Sequence, residues 1–371
     1  MLRWENTDQE QWRNYCAALE TAGFVRTAEN QIGEHRFATY KRDSDKLTVS
    51  YLSGIGEIRV IGEENRPFDF MTEKEGEEQA VTLTQFSTHT SHSRKTRGRA
   101  SGMGYIFRLR DGRLFVIDGG FHLAPEFGND YETLVPLLWE LSGGKKPRIA
   151  AWMITHPHKD HYGVVRQWKE EDGEIEAYLT NLTPDEAAVN LNADLVVSVP
   201  HFEEKNRTIH TGDVLRFGGL EMEFFYTSED MFVENGKGLL GDGNNISPIF
   251  RVTVGGQRII FTGDARPSAQ KRALRVAGDE IAGDICQISH HGRTEGAQNV
   301  FYEAVSPRVA LWPGCHTQID FDTDTVEGCN AWIFGETSTV IDHIVANDGT
   351  KTLTLPYTPQ NRPYQKGEKT W

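Results

Sequence analysis

The run Thr155-His156-Pro157-His158-Lys159-Asp160-His161 constrains this chain more than any other stretch. It follows directly on the apolar segment Ile149 to Ile154, which reads as a strand, so four metal-ligand types stand on one loop at a strand end. Imidazole nitrogen and carboxylate oxygen are donors that Zn²⁺ and related divalent ions accept. Alternation along the loop predicts that residues 156, 158 and 160 share a side and that His161 turns away. One tight loop cannot aim all four donors at a single tetrahedral ion, so two adjacent ions are expected.

Two other strand ends carry the same chemistry. Gln257 to Phe261 runs into Thr262-Gly263-Asp264, where an isolated carboxylate can bridge two ions, and Ile285 to Ile288 runs into Ser289-His290-His291-Gly292. Ligands on loops at the edge of a rigid sheet are what a preorganised metal site requires. Val116-Ile117-Asp118-Gly119-Gly120 ends a further strand, and Asp118 is expected to hold the histidine loop by hydrogen bonds rather than to bind metal.

The rest of the chain supplies a frame. Residues 6–23 place Trp12, Tyr15, Cys16, Leu19 and Ala22 at helical spacing before Gly23, and three short β-rich segments follow, so residues 1–62 read as a small α+β module. Residues 63–101 are polar, with an acidic run from Glu73 to Glu78 and the basic residues Arg94, Lys95, Arg97 and Arg99, and read as a linker. From 102 to 371 strands alternate with helices, including one around 131–141 and one at 268–277, which implies a layered fold.

In this order the motifs resemble the metallo-β-lactamase superfamily. THPHKDH is similar to its HxHxDH loop, FTGDA to its bridging-aspartate motif, and VIDGG to its early Asp-Gly-Gly strand end, over roughly residues 102–315. Within the superfamily, His290-His291-Gly292 and Asn244-Asn245-Ile246-Ser247 are similar to the hydrolase domain of ComEC/Rec2-type competence proteins, which are linked to DNA degradation and are membrane-embedded. The resemblance implies an α+β fold, a metallo-β-lactamase-like αββα sandwich carrying the N-terminal module. It also implies two divalent ions, Zn²⁺ or Mn²⁺, with His156 and His158 on the first, Asp160 and His161 on the second, and Asp264 between them. His290 or His291 would complete the second site. The superfamily's usual third histidine of the first site is replaced by Asn245, which weakens that site or favours a harder ion such as Mn²⁺.

The implied chemistry is hydrolysis by a metal-bridged hydroxide oriented by Asp160, with Asp118 and Asn245 in supporting places. A phosphodiester or phosphoester is the expected substrate, and a carboxylic ester, lactone, thioester or lactam the alternative. A non-catalytic metal-binding scaffold is a third reading. A di-iron redox centre is disfavoured, because His158 stands where such relatives supply glutamate. The net charge of −15 argues against coating long nucleic acid, whose binding rests on Lys and Arg, and leaves a small anionic or ester substrate. No apolar run approaches the length of a membrane span and no leader is evident, so a cytoplasmic protein is expected. Cys16, Cys286, Cys315 and Cys329 form no CxxC pair and read as reduced thiols. Cys315-His316 reads as packing and turn rather than a nucleophile pair, His201, His210 and His343 as ordinary surface or core histidines, and His89 and His92 as linker residues without a metal partner.

Overall fold

The computed structural model describes residues 1–74, 78–89, 102–121, 129–182, 186–231, 243–294, 296 and 299–367. The basic run at 94–99 and His92 lie outside them.

The N-terminal helix spans Gln9–Thr21, starting where Asp8 and Gln11 close a reciprocal capping box. Its stripe of Trp12, Cys16 and Leu19 packs on Tyr40, Val49, Ile58 and Val60. The sheet beneath is antiparallel and five-stranded, ordered Leu2–Trp4, Glu57–Glu64, Asp45–Leu52, His35–Arg42 and Val25–Ile32. Two of these strands escaped the sequence reading. Val25–Ile32 is polar and exposed along most of its length, so it lacks the apolar alternation that marks a strand, and Leu2–Trp4 is a short edge.

Two sheets face each other behind this module. The first is ordered Asn206–Thr208, Tyr178–Thr180, Arg148–Met153, Leu114–Asp118, Gly104–Arg108, Thr82–Gln85 and Lys351–Thr354, with Glu174–Ile175 pairing Arg148–Met153. The second runs Val214–Phe217, Leu220–Tyr226, Ile249–Val254, Gln257–Phe261, Ile285–Gln287, Val309–Trp312 and Asp342–Val345. Strand alternation divides the side chains cleanly. Phe115 and Ile117 meet Phe250, Ile259 and Phe261 between the sheets. Leu114 and Val116 point outward to Leu134 and Leu138 of the helix Tyr131–Leu141, and Ile260 points outward to Ala269 and Ala273 of the helix Pro267–Ala277. Helix, sheet, sheet and helix are the four layers expected.

Thr82–Gln85 falls inside the segment read as a linker. It is a buried strand of the first sheet, pairing Gly104–Arg108 on one side and Lys351–Thr354 on the other. Its polar sequence concealed it, because Gln85 is satisfied internally by Tyr105 and the carbonyls of Trp312 and Ile344.

Candidate metal centre

Leu114–Asp118 and Arg148–Met153 are parallel neighbours, as are Gln257–Phe261 and Ile285–Gln287, and the C-terminal ends of all four meet at one edge of the sandwich. That edge is where open α/β sheets present their functional loops. His156 and His158 leave the first sheet, and Asp264, His290 and His291 leave the second.

The histidine loop does not alternate as expected. From Lys159 to Tyr162 the chain is one helical turn, so Asp160 and His161 are carried to the same place and the loop divides. One group brings together Asp160, His161, Asp264 and His291, the other His156, His158 and Asp264, each with its ligand atoms within 4.8 Å of one another.

Nε2 of His161 stands 3.3 Å from Asp264 Oδ2 and 3.8 Å from Asp160 Oδ2. Nε2 of His291 lies 3.3 Å from both Asp160 Oδ2 and Asp264 Oδ2, and Nε2 of His156 is 3.7 Å from Asp264 Oδ2. Two donors each about 2.0–2.1 Å from a tetrahedral ion stand roughly 3.3 Å apart, so the spacing suits shared ligation. Nε2 of His161, Nε2 of His291 and Oδ1 of Asp264 are buried with no hydrogen-bond partner. Buried polar atoms left so are costly unless something binds them. The donor set and the orphaned atoms therefore fit divalent ions.

Each ring is held from behind. Asp118 accepts the Thr155 N–H and hydroxyl, both at 2.8 Å, and the His161 Nδ1–H at 2.7 Å. The Thr155 hydroxyl also meets Nδ1 of His156 at 3.1 Å. One buried carboxylate thus orients two histidines, turning both Nε2 atoms toward the centre. His291 donates Nδ1–H to the Pro313 carbonyl at 2.7 Å. On the second sheet Gln287 ties two loops together, accepting the Thr262 N–H at 2.8 Å and donating to the Gly263 carbonyl at 3.0 Å. Gly263 has φ +52°, and a Cβ there would meet Ser247 at 2.9 Å, so only glycine suits this turn.

The electrostatics are those of a compressed charge cluster. Burial opposes the charged form of His161, yet Asp264, Asp118 and Asp160 outweigh it and hold its pKa well above the ordinary value. Burial likewise opposes charge on His291, and Asp264 and Asp160 bring its pKa up to about 8. Desolvation wins at His290, which is pushed down to about 4.

His290 and His291 both sit at positive φ, 48° and 58°. His291 joins the second group, whereas His290 stands with Nε2 3.9 Å from Asp264 and outside both groups. Asn245 is buried beside this loop: its Oδ1 accepts the Arg266 N–H at 3.1 Å, and its carbonyl accepts the Tyr226 hydroxyl. The neighbour Asn244 reaches the histidine loop. Its side-chain amide lies within hydrogen-bond distance of both Nδ1 of His158 and the Arg266 guanidinium. Only a one-residue register in a short 3₁₀ turn distinguishes the two asparagines, and sequence carries no signal for that choice.

Other candidates lie elsewhere. Cys315 is buried and His316 pairs with Asp348 at 2.7 Å. His343 stacks on Trp312, and His89 meets Asp130. His201 is exposed between Glu170 and Glu204. His210, read as ordinary, is a buried ionic bridge, with Nδ1 2.9 Å from Glu229 and Nε2 3.1 Å from Glu63 of the N-terminal module.

No family model matches the chain. The competence protein ComA of Neisseria gonorrhoeae is 26% identical over 121 residues, covering 32% of this chain and 16% of that protein, so the chain spans only a small part of that relative's length. Among solved structures, the metallo-β-lactamase fold protein YhfI from Bacillus subtilis is similar with TM-score 0.43 and 12% identity, over 74% of this chain and 100% of that one. Zn²⁺-bound PqqB from Methylobacterium extorquens gives TM-score 0.42 and 13% identity over 74% and 100%. CmlA, a diiron β-hydroxylase from Streptomyces venezuelae, gives 0.42 and 14% over 76% of this chain and 55% of that one. Among the described residues no helix is long and apolar enough to cross a membrane.

Proposed function

We propose that this chain is a hydrolase working through a pair of divalent ions, Zn²⁺ or Mn²⁺, and that its substrate is a small phosphodiester or phosphoester. The observation that carries the reading is the convergence of Asp160, His161, Asp264 and His291 beside His156 and His158, with buried ligand atoms that have no protein partner. Divalent ions held there supply a water of lowered pKa and positive charge for the developing oxyanion.

The chain's own residues do the rest. His156, His158 and Asp264 would hold one ion, and Asp160, His161, Asp264 and His291 the other. Asp118 and Thr155 orient the His161 and His156 rings, so that their Nε2 atoms face the centre. Asn244, backed by Arg266, stands beside His158 where a stronger ligand would make the first position tighter. The four cysteines are free and buried, which fits a reducing compartment such as the cytoplasm.

Elemental mass spectrometry on protein purified without chelators tests this reading. Near two equivalents of Zn or Mn, lost in His158→Ala and Asp264→Ala, together with metal-dependent turnover of nitrophenyl phosphodiesters, is the expected result. Turnover of carboxylic esters alone moves the substrate to that class, and protein that binds no metal removes the hydrolase reading.

A further inference from the structure

A cavity of about 410 Å³ opens between the N-terminal module and the helix Pro267–Ala277. That volume is in the range of small-molecule sites, which favour the seams between folded parts. None of its lining residues belongs to the metal groups. The module supplies Leu52 and Ile55 and the helix supplies Val276 as apolar walls; Leu52 and Val276 are buried and Ile55 is exposed. His35 joins the two sides, its Nδ1 accepting the Ser53 N–H at 3.2 Å and its Nε2–H donating to the Arg275 carbonyl at 3.1 Å.

Arg59 lines this cavity at 2% exposure. Its charge is answered by two carboxylates: Nε and Nη2 donate to Glu57 Oε1 at 3.1 and 3.0 Å, and Nη1 donates to Asp230 Oδ1 at 2.6 Å. A guanidinium carries five N–H groups, so two of those on Arg59 are left without an acceptor among the described residues. The neighbouring carboxylates have little more to offer. The second oxygen of Glu57 is taken by Arg3 Nε at 2.6 Å, and that of Asp230 by the Thr211 hydroxyl at 2.6 Å and the Thr227 N–H at 3.2 Å. Buried donors favour whatever brings them an acceptor, and a guanidinium cannot shed its proton instead.

Two further guanidinium groups, Arg272 and Arg275, stand on the helix side of the cavity. Arg272 is half-buried, with Nε 3.1 Å from Met231 Sδ and Nη1 3.5 Å from the Asp230 carbonyl. Arg59 and Arg272 therefore flank the same residue, one at its carboxylate and one at its backbone. Three guanidinium groups around an apolar space repel a cationic ligand and attract an anionic one.

We propose that this cavity binds a small carboxylate with an apolar body, its oxygens on N–H groups of Arg59 and Arg272 and its body against Leu52, Ile55 and Val276. The site stands apart from the hydrolase reading and does not depend on it.

The test is calorimetric titration of the full-length protein with octanoate, octan-1-ol and acetate as probes. Octanoate is expected to bind with one-to-one stoichiometry, octan-1-ol about tenfold more weakly for want of charged hydrogen bonds, and acetate not measurably. Val276→Phe, which fills the cavity, is expected to abolish octanoate binding. Arg272→Gln, whose side chain lies outside the Glu57–Arg59–Asp230 network, is expected to weaken it about tenfold, and it decides the matter if Val276→Phe fails to fold. Octanoate binding retained in Asp264→Ala separates this site from a carboxylate held at the metal centre. No octanoate binding, equal affinity for octan-1-ol, equal affinity in both cavity variants, or loss of binding in Asp264→Ala overturns the proposal.

Discussion

Two of the buried charge clusters among the described residues are built on opposite plans. At the junction of the module and the sandwich, His210 bridges Glu63 and Glu229, Lys46 also meets Glu63, Asn181 also meets Glu229, and Arg59 spans Glu57 and Asp230. Every charge there is answered by another protein group. At the sheet edge the rings are held firmly from behind, yet the atoms facing one another are left without hydrogen bonds. A closed cluster fastens two parts together, while an open one of the same residue types is shaped for something that comes from outside.

The largest expected effect breaks the closed cluster. His210→Ala leaves Glu229 buried without its main counter-charge and should cost about 3–5 kcal/mol of stability, seen in denaturant melts, with metal binding retained. The same cluster has a pH signature. His210 is raised to about 10 by Glu229 and Glu63 against its own burial, so its contribution is complete below the ordinary histidine value near 6.5 and fades as pH rises toward 10. Glu63 and Glu229 are each lowered to about 2, against burial, chiefly by His210, so their contribution is complete above about 4.5 and is lost as pH falls toward 2. Stability from this junction should therefore peak between about pH 4.5 and 6.5, and His210→Ala should flatten the profile; an unchanged profile would show that the bridge contributes nothing.

At the open cluster the signs reverse. Metal at about a thousand times its Kd should stabilise the wild type by about 4 kcal/mol, and Asp264→Ala should abolish that gain while altering the metal-free melt far less. Asp118→Asn removes the acceptor that orients His161 and should weaken metal binding about 10–100-fold, measured by competition with a chromophoric chelator. The smallest effect separates the two asparagines: Asn244→His should tighten the more weakly held equivalent, and Asn245→Ala should leave metal stoichiometry as it was. The reverse result would return the first position to Asn245.

What sequence revealed follows the same division. The three strand ends whose His and Asp side chains converge at the sheet edge were legible because His, Asp and Gly after apolar runs are unusual and local. The helices Tyr131–Leu141 and Pro267–Ala277 were legible from periodicity. Thr82–Gln85 was not, since its polar side chains are satisfied by residues far along the chain. The bridge at His210 was equally silent: its partners stand 147 and 19 residues away, and nothing local distinguishes it from a surface histidine.

Gln287 carries a last consequence. Its amide clasps Thr262 and Gly263, the Ser289 hydroxyl donates to the Ala265 carbonyl at 2.7 Å, and the His290 N–H donates to the Gly263 carbonyl at 3.2 Å. The aspartate loop and the double-histidine loop are thereby one mechanical part. Chimeras with a crossover between residues 264 and 287 would split that part, so recombination of this scaffold has to exchange both loops as a single cassette.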